Sequence, residues 1–268
     1  MIVPARVLRC SDAHGVSEAD DVLAPEEPLE IRVGGKPVSV VMRTPGQDLE
    51  LAAGFLLTEG VVESGCVPFL RHVHPNRVNA AIPAASGAAV ERASRRVFTA
   101  SSCGLCGKGT IESIYQRFGE IDDEVRLSPE VLPRMLDALR GAQPEFTRTG
   151  GVHAAAVFHT DGNLVVARED IGRHNAVDKA IGHCLLRRTL PLSGHVLLVS
   201  GRASFEIMQK ALAARIPIVA AVSAPSSLAV SFARECGQTL VAFLRPGKFN
   251  IYAHPERLVK ENCEDGAR

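Results

Sequence analysis

"HVLLVSGRASFEIMQKALAARIPIVAAVSAPSSLAVSFAREC" (residues 195–236) decides the fold. Two short apolar runs, "HVLLVS" and "PIVAAVS", each lead into a helical pattern, "FEIMQKALAAR" and "SSLAVSFAREC". A further run, "TLVAFL", follows at residue 239. Wholly apolar strands alternating with helices predict an α/β domain: a mainly parallel sheet covered on both faces.

Upstream, a helix over 174–186 carries Ala176, Val177, Ala180, Ile181, Cys184 and Leu185 on one stripe. "GVHAAAVF" and "NLVVARE" read as strands joined by an Asp161-Gly162 turn. A helix starts at Ser128-Pro129-Glu130 and presents Val131, Leu132, Met135, Leu136 and Leu139. Nearer the start, "LEIRVGGKPVSVVMRT" (29–44) predicts a hairpin turning at Gly34-Gly35. "DLELAAGFLLTEG" (48–60) predicts a helix capped by Asp48 and ended by Gly60. Short β-like pieces follow at 77–82 and 96–100, and "IESIYQRFG" (111–119) reads as a short helix. The organisation expected is an irregular N-terminus (1–25), a small α+β domain (26–100), a connector with two cysteines (101–125) and the α/β domain (126–268).

The chain has 268 residues, 46% hydrophobic and 22% charged, with 30 basic and 30 acidic side chains. That balance argues against a nucleic-acid binder, which shows a basic excess. No apolar run reaches the roughly 20 residues of a membrane span, and the N-terminus lacks a signal-peptide core. Cytoplasmic location is the expectation. The 7 scattered cysteines then read as free thiols, with Cys184 and Cys236 as small core hydrophobes.

Each strand of the α/β half runs out into a polar, Gly- or Ser-rich stretch: "DIGRHNAVDK", "GRASFE", "APSSLA" and "RPGKFN". In an open α/β sheet these gather at the carboxyl edge, where ligands bind and helix N-termini favour phosphate. Arg173, His174, Arg202, Arg245 and Lys248 suit an anionic ligand, and Ser200, Ser204, Ser223, Ser226 and Ser227 add hydroxyls. Glu169, Asp170 and Asp178 are candidates to accept bonds from a base or sugar, or to hold the arginines.

"SSCGLCGKGT" (101–110) holds Cys103 and Cys106 among glycines. A P-loop fails, because Lys108 is followed by Gly109 and the position five before Gly107 is Ser102. A structural zinc site needs four ligands and finds one pair; Cys66 with His72 or His74 matches no standard spacing. Thioredoxin-like chemistry needs a strand-then-helix context that is not evident here. A nucleophilic thiol on a glycine-flanked arm, near Arg92, Arg95, Arg96 and Lys108, is only somewhat better supported than redox chemistry.

Taken together, "SSCGLCG", "GGVHAAAVF", "REDIGRHNAVDKAIG", "SGRASFEIMQKA", "IPIVAAVSAPSSLAV" and "FLRPGKFNIYAHPER" resemble the FdhD/NarQ family, in family order from about residue 40 to 257. The first 25 residues are not covered. The resemblance implies a sulfur carrier required for formate dehydrogenase activity. Persulfide sulfur from a cysteine desulfurase would sit on Cys103, with Cys106 assisting. It would pass to the molybdenum (or tungsten) bis-guanine-dinucleotide cofactor before insertion into formate dehydrogenase. The segment Phe243, Leu244, Arg245, Pro246, Gly247 and Lys248 would contact that cofactor. A cytidine-deaminase-like three-layer fold and a homodimer are also implied. Deamination is not expected: zinc deaminases need H-x-E with P-C-x-x-C. Here His153 precedes three alanines, and Ser102 precedes Cys103. The alternative function is a non-catalytic chaperone binding the cofactor or a guanine nucleotide; a third is a zinc-binding structural module.

Overall fold

A computed structural model describes residues 2–12, 15–82 and 119–258. Strand β1 (Val3–Ser11) pairs antiparallel with β2 (Gly15–Leu23). The expectation of irregular chain before residue 25 is corrected here. Its residues are almost all exposed on both faces of the ribbon, so no alternation of hydrophobicity marks the strands in the sequence.

Next come β3 (Glu27–Val33), β4 (Lys36–Arg43), helix α1 (Asp48–Thr58), β5 (Phe69–His74) and β6 (Arg77–Ala81). The sheet order is β4-β3-β6-β5. Gly34 and Gly35 have φ of 57° and 81° and make the expected hairpin turn. The expected Asp48 cap is not formed. Gln47 takes the N-cap position, and the Asp48 carboxylate accepts from Arg43 Nε (2.9 Å) and Nη2 (3.0 Å) instead. A buried guanidinium outcompetes the helix N–H groups for that carboxylate.

The second half contains α2 (Val131–Gly141), α3 (Pro144–Thr149), β7 (His153–His159), β8 (Leu164–Asp170), α4 (Arg173–Leu186), β9 (His195–Val199), α5 (Phe205–Ala213), β10 (Ile218–Ala221), α6 (Ser227–Glu235), β11 (Thr239–Arg245) and β12 (Lys248–Ala253). Ser128-Pro129-Glu130 forms a turn ahead of α2, closed by the Val131 amide on the Ser128 carbonyl (3.0 Å). The sheet order is β12-β11-β10-β9-β7-β8. Only β9–β10 and β10–β11 are parallel pairs, so the expected mainly parallel sheet is a mixed one. A strand buried on both faces gives the same apolar run in either direction, and β7 is such a strand.

Alternation along the strands supplies two cores. Ala154, Ala156, Phe158, Val196, Leu198, Ile218 and Val241 face α2, whose five predicted apolar residues are all buried against them. Ala155, Val157, Leu197, Val199, Val219 and Leu240 face α4, α5 and α6. This second core continues through α1 into Leu29, Ile31, Val78 and Ala80 of the four-stranded sheet. Helix α1 is buried almost all round for that reason. Among the described residues, no helix is long and apolar enough to cross a membrane.

Candidate functional site

Strands β9, β10 and β11 run one way, and β8 runs with them because β7 is antiparallel to both β8 and β9. Four strands therefore end at one edge, as the sequence indicates. Strands β7 and β12 start there, which adds His153 and Lys248.

Much of that edge is spent on holding itself together. Ser200 Oγ accepts from the Ala154 amide, and the Ser200 amide donates to the Ala154 carbonyl, each at 2.9 Å. The Ala203 amide donates to Ala224 O (3.2 Å) and the Ser226 amide to Ala203 O (2.9 Å), latching the β9 and β10 exits. The Ser223 amide donates to Gly201 O (3.3 Å), and the Phe243 amide to Ser223 O (3.1 Å). Ser226 Oγ caps α6 by accepting from Ala229 N (3.2 Å). The Arg245 guanidinium donates to the Val222 and Leu244 carbonyls. Ser200, Ser226 and Arg245 thus have structural duties that account for them.

Arg173 and Arg202 form the cationic part, with His153 beside them. Gly201 passes between His153 and Arg173: a methyl group there would lie 3.5 Å from His153 Nδ1 and 3.7 Å from Arg173 Cδ. Burial first, then the Arg173 and Arg202 charges, push His153 below its ordinary value. Arg173 Nε is buried and has no hydrogen-bond partner among the described residues. A buried, unpaired guanidinium N–H needs an acceptor, and an anion is the strongest one available.

His174, at the start of α4, has Nε2 3.4 Å from Ser204 Oγ and 3.9 Å from Glu206. Burial, then Lys210 and Arg173, pull it down to about 4. It is a neutral imidazole near pH 7, so it serves this edge as a hydrogen-bonding group rather than as a cation. Glu206 approaches the same ring nitrogen as Ser204, so the three do not make a nucleophile–base–orienter relay.

The carboxylates behave differently from expectation. Glu169 accepts from the Glu145 (2.9 Å) and Phe146 (2.8 Å) amides at the start of α3. Asp170 is fully buried, 2.7 Å from Lys179 Nζ, and also accepts from the Thr44 and Gly172 amides. Asp178 is buried against Lys210 Nζ (2.8 Å) and the Thr58 hydroxyl (2.8 Å). Both aspartates are buried, and both hold lysines rather than arginines.

The segment Phe243–Lys248 divides likewise. Leu244 is buried, Arg245 is the clamp just described, and Phe243, Pro246, Gly247 and Lys248 are exposed. Cys103, Cys106, Arg92, Arg95, Arg96 and Lys108 lie outside the described residues.

The FdhD/NarQ family model matches residues 24–259. The chain belongs to the FdhD/NarQ family. It is 50% identical over 268 residues to the sulfur carrier protein FdhD of Streptomyces avermitilis, covering 94% of each chain. It is 43% identical over 267 residues to the protein of that name from Thermoplasma volcanium, covering 95% of each. A crystal structure from Desulfotalea psychrophila, provisionally described as a formate dehydrogenase accessory protein, superposes with a TM-score of 0.78 at 24% identity, over 96% of this chain and 99% of that one. That likeness bears on the fold alone.

Within this family member the core thiols are inert. Burial raises Cys184 to about 11 and Cys236 to about 12, so neither offers a thiolate near pH 7. Sequence reasoning missed Lys179 and Lys210, which neutralise the two aspartates. Hydropathy places lysines on surfaces; the available signal was that each falls among the apolar positions of its helix.

Proposed function

We propose that this chain is a sulfur carrier for formate dehydrogenase maturation, acting in the cytoplasm through a persulfide on Cys103. The near-full-length identity to proteins named sulfur carrier protein FdhD carries this reading. The orphaned Arg173 Nε beside Arg202 and His153 supports its second half, an edge that receives a phosphate-rich substrate.

In the loading step, the Cys103 thiolate attacks the outer sulfur of a desulfurase cysteine persulfide. The donor S–S bond breaks, the donor cysteine leaves as thiolate, and Cys103 keeps the sulfur as a persulfide. Cys106, separated from Cys103 by Gly104-Leu105, assists in release. The acceptor is the molybdenum (or tungsten) bis-guanine-dinucleotide cofactor, the substrate rather than a resident group. Its phosphates suit Arg173, Arg202 and Lys248, and the hydroxyls of Ser204 and Ser223 lie in the same loops. Ser200 orients the β7 start from behind. We read the three layers as cytidine-deaminase-like in fold and not in chemistry, and the working unit as a homodimer.

Cys103→Ala, expressed in a host lacking its own carrier, is expected to leave formate dehydrogenase activity at background, with Cys106→Ala partly active. Full activity with Cys103→Ala would instead favour a cofactor-binding chaperone.

A further inference from the structure

Among the described residues, two surfaces of this chain are uncovered, and they complement each other. The first is the β1–β2 ribbon. An isolated two-stranded ribbon is marginal in water, because it has no core behind it. Here strands of 9 residues each stand out almost wholly exposed on both faces. On one face Arg6 lies opposite Asp20, Leu8 opposite Glu18 and Cys10 opposite Val16. Leu8 is 70% and Val16 62% exposed. The two carboxylates outnumber Arg6, so this face is apolar towards its tip and acidic along its middle. The Arg6 contacts to Glu18 and Asp20, each 3.9 Å and solvent-exposed, contribute little stability.

The second surface is the outer face of the four-stranded sheet. Leu29, Ile31, Val78 and Ala80 turn towards α1, so the alternate positions turn away. Register sets Val40 beside Glu30 and Glu30 beside Arg77 on that side. Met42, opposite Pro28, and Phe69, opposite Ala81, lie on the two outer strands. Val40, Met42 and Phe69 are 63%, 49% and 71% exposed. Glu30 accepts from Arg32 Nε (2.6 Å) and Arg77 Nε (2.7 Å), and Arg71 adds a third, exposed guanidinium. The face is therefore basic between apolar margins. Only Ala24, Pro25 and Glu26 join the ribbon to β3. Pro25 is buried and Ala24 lies beside Gly151. With its root fixed, the ribbon is not free to swing back over the sheet it precedes.

We infer that the ribbon is an exchanged arm: in a homodimer, its Leu8–Val16–Glu18–Asp20 face lies on the outer sheet face of the second copy. The inference rests on the homodimer reading and names the interface. The acidic stripe meets the arginines, and Leu8 and Val16 meet an apolar margin. Strands of 9 residues make a ribbon roughly 30 Å by 10 Å. Two reciprocal arms then bury about 1,200 Å² in total, the size a specific interface needs. A twofold exchange is closed, so assembly stops at two copies.

Sedimentation equilibrium of the full chain tests this with two double variants. Glu18→Arg/Asp20→Arg makes the ribbon basic. Arg71→Glu/Arg77→Gln makes the sheet face acidic and leaves the Arg32–Glu30 pair in place. Each variant alone is expected to dimerise about ten-fold or more weakly than wild type. An equimolar mixture of the two is expected to recover the dimer. In the mixed pair the reversed arm meets the reversed face, and the natural arm meets the natural face. Unchanged dimerisation in either variant, or a loss that mixing does not restore, overturns the exchanged arm and leaves the homodimer reading standing. A wild-type chain that sediments as a monomer throughout overturns both, and leaves the two surfaces to a different protein.

Discussion

Lys210→Met is expected to lower the unfolding free energy by about 3–5 kcal/mol, because it strands a buried carboxylate. Lys210 is only 5% exposed, and its Nζ lies 2.8 Å from Asp178 and 3.6 Å from Glu59. It also donates to Thr58 Oγ1 (2.9 Å). Burial opposes its charge, but the Asp178 and Glu59 carboxylates more than offset that and hold the ammonium above its ordinary value. The cluster joins three elements, since Thr58 ends α1, Asp178 lies in α4 and Lys210 in α5. Methionine keeps the bulk and removes the cation. The Asp178→Asn/Lys210→Met double variant is expected to be more stable than Lys210→Met alone, because the uncompensated charge is gone. Urea midpoints of the three proteins measure this. A loss below about 1 kcal/mol for Lys210→Met would show that the pair is not a buried one.

Gly182→Ala is expected to cost more than about 3 kcal/mol, although alanine is the better helix former by about 1 kcal/mol. A methyl group at Gly182 would lie 1.9 Å from Glu50 O and 2.7 Å from Gly54 N. Gly54 faces α4 in the same way, with a methyl group 1.9 Å from Asp178 O. The two helix backbones touch, and backbone cannot swing aside as a long side chain can. Separating them would open the core that runs from α4 through α1 to the four-stranded sheet. It would also strain the Glu50 contacts to Arg168 (2.5 Å) and His183 (2.9 Å). Gly141→Ala, at the open end of α2, is the control, expected to be neutral or stabilising by up to about 1 kcal/mol. Thermal melts of both variants decide it. Equal melting temperatures for Gly182→Ala and wild type would contradict the close crossing.

What was legible in the sequence was whatever hydrophobic period and turn chemistry encode. The α2 stripe, the α4 stripe, the Gly34-Gly35 turn and the β9–α5–β10–α6 alternation are local patterns and stand where they were expected. The gathering of Arg173, His174, Arg202, Ser204 and Ser223 at one edge followed from that alternation. Strand direction was not legible for β7, because its apolar run reports burial on two faces rather than parallel pairing. The β1–β2 ribbon was invisible because it buries too little to leave a pattern. The duties of individual polar side chains were hidden for a different reason. Whether Asp170 meets a ligand or Lys179, and whether Arg245 meets phosphate or the Val222 carbonyl, depends on contacts between elements far apart in the chain. The charge on His174 was hidden likewise, since burial and Lys210 set it.

The central claim is that Cys103 carries sulfur. Intact-protein mass spectrometry, after incubation with a cysteine desulfurase and cysteine, tests it directly. The account predicts a reducible single-sulfur adduct that maps to Cys103 and is lost in Cys103→Ala. A chain that gains no sulfur on Cys103 while the desulfurase turns over would contradict it.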